Sequence, residues 1–233
     1  MNVINEISSY YSDVFRGHGI KESRSSGYVS FELSGILVTA ALKYIMMEWL
    51  NMVAFYITGI SFFWIGYIIY RYVSDKSLLK KWGFTMDGFR STLVFLLPFI
   101  LVCIIASLVY GSGRNDVNIL NWRFIPVIFL YPLWGLFQQY IMLILIAGNL
   151  TELEKVNLSK TQVILITSLL FSAIHYPSFY LMIFTFIMEI IFLLAWFRWK
   201  NLLALGLVHG VVASFIIFHV LGRDLWLELF AWF

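Results

Sequence analysis

Blocks of about twenty apolar residues recur along this chain, and a block of that length leaves few choices of fold. At ~1.5 Å rise per residue it covers the hydrocarbon core of a bilayer, where each backbone N–H and C=O must find its partner within a helix or a closed barrel. The clearest blocks are 49–70 (WLNMVAFYITGISFFWIGYIIY), 91–110 (STLVFLLPFILVCIIASLVY) and 124–148. Next come 161–176, 178–197 (SFYLMIFTFIMEIIFLLAWF) and 202–221 (LLALGLVHGVVASFIIFHVL), with Pro177 separating or kinking the fourth and fifth. Residues 29–48 are largely apolar but carry Glu32, Lys43 and Glu48, so they read either as a seventh span or as a helix packed at the interface. Only 12% of the 233 residues are charged, about half the share of an ordinary soluble domain. The expected fold is therefore all-α: a polytopic bundle of six to seven transmembrane helices over 31–233, preceded by an interfacial segment and linker over 1–30.

Orientation follows the bias of Lys and Arg in short loops toward the cytoplasm. Arg71, Lys76, Lys80, Lys81 and Arg90 in 71–90, Lys155 and Lys160 in 149–160, and Arg198 and Lys200 in 198–201 alternate onto one side. That side is assigned to the cytoplasm, and Arg114 and Arg123 in 111–123 fall outside. The N-terminus lacks the basic start and apolar run of a signal peptide. Ile4, Ile7, Tyr11, Val14 and Phe15 instead repeat at helical spacing, as in a helix lying on a membrane surface. RGHGIKESRSSG reads as a flexible linker, and Trp226 and Trp232 fall where an aromatic belt is expected. The single cysteine, Cys103, lies inside a span, so no intramolecular disulfide can form. Net charge is +3, and without a basic groove of stacking aromatics there is no case for a nucleic-acid partner.

Strongly polar residues inside spans are costly and default to functional candidates. Here they are Gln138, Gln139, His175, Glu189, His209 and His219. Counted from the cytoplasmic ends at ~1.5 Å per residue, Gln138 lies ~16 Å deep, Glu189 ~13 Å, His209 ~12 Å and His175 ~22 Å. Four polar side chains on four helices are thus expected to share one layer. Around His209, Gly206, Gly210 and Ser214 recur every four residues, a stripe that lets a neighbouring helix approach closely, and Ala213 lies one turn from His209 on the same face.

At these residues the sequence resembles the CAAX protease and bacteriocin-processing family, also called the Abi family, helical intramembrane proteases marked by EExxxR, then FxxxH, then HxxxN or Hxxx-small. FSAIH supplies Phe171 and His175 of the second motif, and HGVVA supplies His209 and Ala213 of the third. QQYIML stands at the first, with Gln138 and Gln139 in the two glutamate positions and Leu143 in the arginine position. The resemblance covers roughly residues 80–220 and includes KWGFTMDGFR, similar to the family's amphipathic lead-in. It implies a general base at the first glutamate, with the histidines orienting water and stabilising an oxyanion, and it implies a bacterial cytoplasmic membrane. This chain departs at the base: a glutamine amide cannot take a proton at neutral pH, though it can orient water or donate to an oxyanion. Losing the arginine together with both glutamates is coherent, because a lone arginine would be an unpaired buried charge.

Each candidate has a plainer alternative. Gln138 and Gln139 read equally as interhelical hydrogen-bonding groups, and His219 reads as structural. Glu189 reads as a paired carboxyl, as a relocated base with a raised pKa, or as one ligand of a metal site with His175 and His209. No HExxH or CxxC accompanies that last reading, and no cofactor is expected. Three functions stand: a hydrolase that compensates for its missing glutamates, a pseudoenzyme that keeps the pocket as a binding or chaperone-like module, and a lipid-handling or transport protein. A peptide or membrane-protein substrate or partner is expected under the first two. The third is opposed by the lack of an inverted repeat.

Overall fold

The computed structural model describes residues 26–115, 117, 121–153 and 156–230. The surface helix expected near the N-terminus lies outside them, as do most of the linker, Lys155 and Trp232. Among the described residues the secondary structure is all helical. The helices are α1 (Ser26–Lys43), α2 (Val53–Ser74), α3 (Leu78–Lys81), α4 (Phe89–Ser112), α5 (Phe124–Gln139), α6 (Asn149–Glu152), α7 (Lys160–Ala173), α8 (Phe179–Trp199), α9 (Leu202–Phe215) and α10 (Leu225–Phe230). Wider π turns continue α1 over Tyr44–Trp49, α5 over Tyr140–Gly148 and α9 over Ile216–Val220.

Six stretches are long and apolar enough to cross a membrane: Gly27–Trp49, Val53–Ser74, Phe89–Ser112, Phe124–Glu152, Phe179–Trp199 and Leu202–Val220. Their number is the expected one, but their membership differs from the sequence reading in two places. The ambiguous segment 29–48 is a full-length apolar helix. The expected span 161–176 is α7, a helix of 14 residues, ~21 Å long against a hydrocarbon core of about 30 Å. Both ends of α7 have local causes. Ser159 and Gln162 form a reciprocal capping box at its start, and Pro177 pushes the preceding residue away from helical geometry just beyond its end.

The chain divides into two compact units, Met1–Tyr67 with Ile141–Arg198, and Ile68–Tyr140 with Trp199–Phe233. In the first, α1 and α2 run antiparallel. Gly35 faces the Trp64 ring, Trp64 Nε1 donates to Thr39 Oγ1 at 3.1 Å, and Tyr56 donates to the Thr39 carbonyl at 3.1 Å. The charges that made α1 ambiguous are accommodated. Glu32 accepts from Tyr67 at 2.5 Å and from Asn149 at 2.6 Å. Lys43 pairs with Glu48 at 3.2 Å and donates to the Tyr176 carbonyl at 3.3 Å. Tyr44 donates to the Ala173 carbonyl at 2.7 Å. The short α7 therefore starts soon after Asn149, which reaches the beginning of α1, and finishes beside the end of α1.

In the second unit α5 and α9 run antiparallel with their backbones touching. A Cβ added to Gly135 would lie 2.6 Å from the Gly206 carbonyl oxygen, and one added to Gly210 would lie 2.3 Å from Pro132 Cα. The small-residue stripe is thus a helix seam, as expected, with Gly135 as its counterpart on α5. α4 runs parallel to α9: Phe95 packs on Trp199 at 5.2 Å, and Gly111 lies against the His219 backbone. At the start of α9, Asn201 accepts from the Ala204 N–H at 2.8 Å, capping the helix, and donates to the carbonyls of Thr85 at 2.6 Å and Asp87 at 2.9 Å. The Leu202 N–H adds a bond to the Gly83 carbonyl at 3.0 Å. The segment KWGFTMDGFR is in this way pinned to the head of α9, and the link carrying Lys200 lies at the same end of the unit as the short helix α3, which carries Lys80 and Lys81. At the other end Asp224 accepts from Asn121 at 3.0 Å and Arg123 at 3.2 Å. Partial burial works to raise its pKa, but these bonds and one from the Leu227 N–H hold the carboxyl below the usual carboxylate value.

Asn201→Ala removes a helix cap and both carbonyl partners at once. The expected loss is about 2 kcal/mol, from a cap worth ~1 kcal/mol and two bonds of similar net size, partly recovered by water. It is read as a lower midpoint of thermal unfolding in detergent, with Asn201→Asp retaining the cap and losing the two donated bonds.

Candidate functional site

Packing at the α5–α9 seam sets the first part of the site. Gln139 closes α5 and is fully buried, and the next residue, Tyr140, is fixed by edge-on contact with the buried Trp82 at 5.3 Å. His209 is buried in the middle of α9, between Val208 and Gly210 of the seam. Gln139 Nε2 lies 3.0 Å from His209 Nδ1. An amide NH₂ group only donates, so Nδ1 is the acceptor and the ring proton of a neutral imidazole is on Nε2. Gln138, one position earlier and about 100° round the helix, is half-buried and takes no part in this bond. The glutamine joined to the histidine is the second of the pair, not the one in the base position of the resembled motif.

His175 and Glu189 belong to the other compact unit. His175 is not deep within a span as the count of apolar residues implied. It follows the end of α7, in the turn that leads to Pro177, because the helix stops at Ala173. Its Nδ1 lies 2.7 Å from the Phe171 carbonyl, which can only accept, so the proton is on Nδ1 and the Nε2 lone pair is available. The ring stands edge-on to Phe171 at 4.8 Å, so the FxxxH spacing gives the imidazole an aromatic floor one turn below. Glu189 is fully buried on the inward stripe of α8, with Thr185, Met188, Phe192, Leu193 and Trp196. Among the described residues, no group of three or more His, Cys, Asp or Glu side chains is placed to hold a metal ion. His219 is a packing residue: its Nδ1 donates to the Phe215 carbonyl at 3.1 Å, and its ring stacks on Phe215 and meets Phe124 edge-on.

One polar centre escaped the sequence reading. Glu32, Tyr67 and Asn149 are buried together, and Asn149 also donates to the Leu145 carbonyl at 2.8 Å. Glu32 was visible as a charge within an apolar block, but its two partners lie 35 and 117 positions away. The only hint was that an asparagine closes the block 124–148 just where a polar cap could reach back. No protein-family model, curated protein or solved structure matches this chain.

Proposed function

We propose that this chain, an integral membrane protein, lies in a bacterial cytoplasmic membrane, resembles the CAAX protease and bacteriocin-processing family, and has exchanged hydrolysis for binding of a peptide or membrane-protein partner. The observation that carries this reading is the 3.0 Å contact from Gln139 Nε2 to His209 Nδ1. Hydrolysis needs a group that takes a proton from water, and neither Gln138, at the base position of the resembled motif, nor Gln139 can do so. By donating to Nδ1, Gln139 also occupies the imidazole lone pair and leaves His209 as an N–H donor. Leu143, in the arginine position of the resembled motif, is fully buried, which favours a first motif made neutral as a unit. A histidine N–H and a glutamine amide suit recognition of a carbonyl acceptor such as a peptide backbone. The common end of the two basic links supports the orientation with 71–90 and 198–201 in the cytoplasm.

A second reading keeps hydrolysis and draws on Glu189, a carboxyl group fully buried on α8 and of a type that can take a proton from water. One comparison separates the two. The termini of membrane and secreted proteins are mapped in strains carrying the intact gene, a deletion, and His175→Ala with His209→Ala. Binding alone predicts identical termini in all three, with any phenotype of the deletion arising without a cleavage change. A terminus made only in the intact strain overturns the binding reading, and Glu189→Gln then tests the relocated base.

A further inference from the structure

Helix α7 carries its polar residues inward: Leu165, Leu169 and Leu170 are exposed, while Thr167, Ser168 and Ser172 are buried. Buried hydroxyls in helices normally donate to the carbonyl one turn back, and this chain follows that habit. Thr92 donates to Gly88, Thr185 to Leu181 and Ser214 to Gly210, each at 2.8 to 2.9 Å. Ser172 instead reaches the Met182 carbonyl at 2.8 Å. Thr167 and Ser168 depart from both patterns. Each is fully buried, and neither hydroxyl has a hydrogen-bond partner among the described residues.

We infer that Thr167 and Ser168 together form a binding site for an internal water molecule within the helical bundle. Adjacent hydroxyls of this kind can each bond one oxygen at ~2.8 Å, and buried waters are held by groups that the protein leaves unsatisfied. The chemistry selects water over an ion. Two neutral hydroxyls bring no charge for an anion and too few oxygens for a hard cation, which takes about six. Thr167 and Phe171 lie one turn apart on α7, so the water lies on the same face of the helix as the Phe171 ring. The site does not depend on whether the chain cleaves or only binds, and its test does not read activity.

The full chain in lipid nanodiscs is exposed to a short X-ray pulse, which makes hydroxyl radicals from bound water in place, and oxidation is mapped by mass spectrometry. Phe171, one turn from the site, is compared with Phe192 on α8; both are buried. The expected result is several-fold more oxidation of Phe171 than of Phe192, falling to the level of Phe192 in Thr167→Val with Ser168→Ala. Equal oxidation of the two rings in the intact chain overturns the inference, whatever the fate of the variant. So does an excess at Phe171 that survives the double substitution in folded protein.

Discussion

Gly210→Val is expected to abolish the α5–α9 seam, at a cost above ~3 kcal/mol, the upper end of what overpacking usually does. A Cβ there would lie 2.3 Å from Pro132 Cα, 2.4 Å from its nitrogen and 2.7 Å from the Tyr131 carbonyl carbon. All three are backbone atoms, so no side-chain rotation relieves the clash and one helix must move away from the other. His209 immediately precedes Gly210, so the same movement would pull its ring from Gln139. Gly66→Ala is the control. That glycine lies within α2 with nothing inside 4 Å of an added Cβ, and alanine there gains up to ~1 kcal/mol of helix propensity. Thermal stability of the monodisperse protein in detergent should fall steeply for the first and hold or rise for the second.

The second large effect is expected at Glu32. Glu32→Ala removes the acceptor for both Tyr67 and Asn149 in a setting without bulk water. Two buried donors deprived of their acceptor, at ~1–3 kcal/mol each, bring the loss to about 2–6 kcal/mol. Glu32→Gln keeps one acceptor oxygen and is expected to lose roughly half as much. Tyr67→Phe, which removes one donor and leaves the carboxyl with Asn149, should fall between Glu32→Gln and the intact chain. The order of unfolding midpoints checks the assignment. If Glu32→Ala were as stable as the intact chain, Glu32 would not be what holds α1 to α2 and to the start of α6.

Much of the architecture was legible because the bilayer enforces it. Apolar blocks became helices with limits close to those read from the sequence, as with 91–110 and Phe89–Ser112. The shift from 49–70 to Val53–Ser74 has a local cause at Asn51, whose φ of 52° breaks the chain between two helices, as asparagine tolerates better than most residues. Counting apolar residues failed where a turn was itself apolar: Ile174 and Tyr176 continue the hydropathy of α7 after its helix has ended. It failed in the opposite sense for α1, because charges count against a span only until their partners are known, and Tyr67, Asn149 and Tyr176 are remote in sequence. The site was half legible. The stripe Gly206, Gly210 and Ser214 pointed to a close helix contact at His209, and that contact exists. Which glutamine meets the histidine depends on the rotation of α5 about its axis, fixed by the fit of Gly135 and Leu136 against Gly206, and no local pattern in QQYIML reports it.

The most direct measurement is the protonation state of His209, read from the ring ¹⁵N shifts of histidine-labelled protein in bilayers at neutral pH, with the resonance assigned by its loss in His209→Asn. A pair in which Gln139 donates to Nδ1 predicts a neutral ring protonated on Nε2, with the Nδ1 shift moving when Gln139 is replaced by leucine. An imidazolium, or a neutral ring protonated on Nδ1, would contradict it: the histidine would then have an acidic or accepting partner, and the grounds for a site without hydrolysis would be gone.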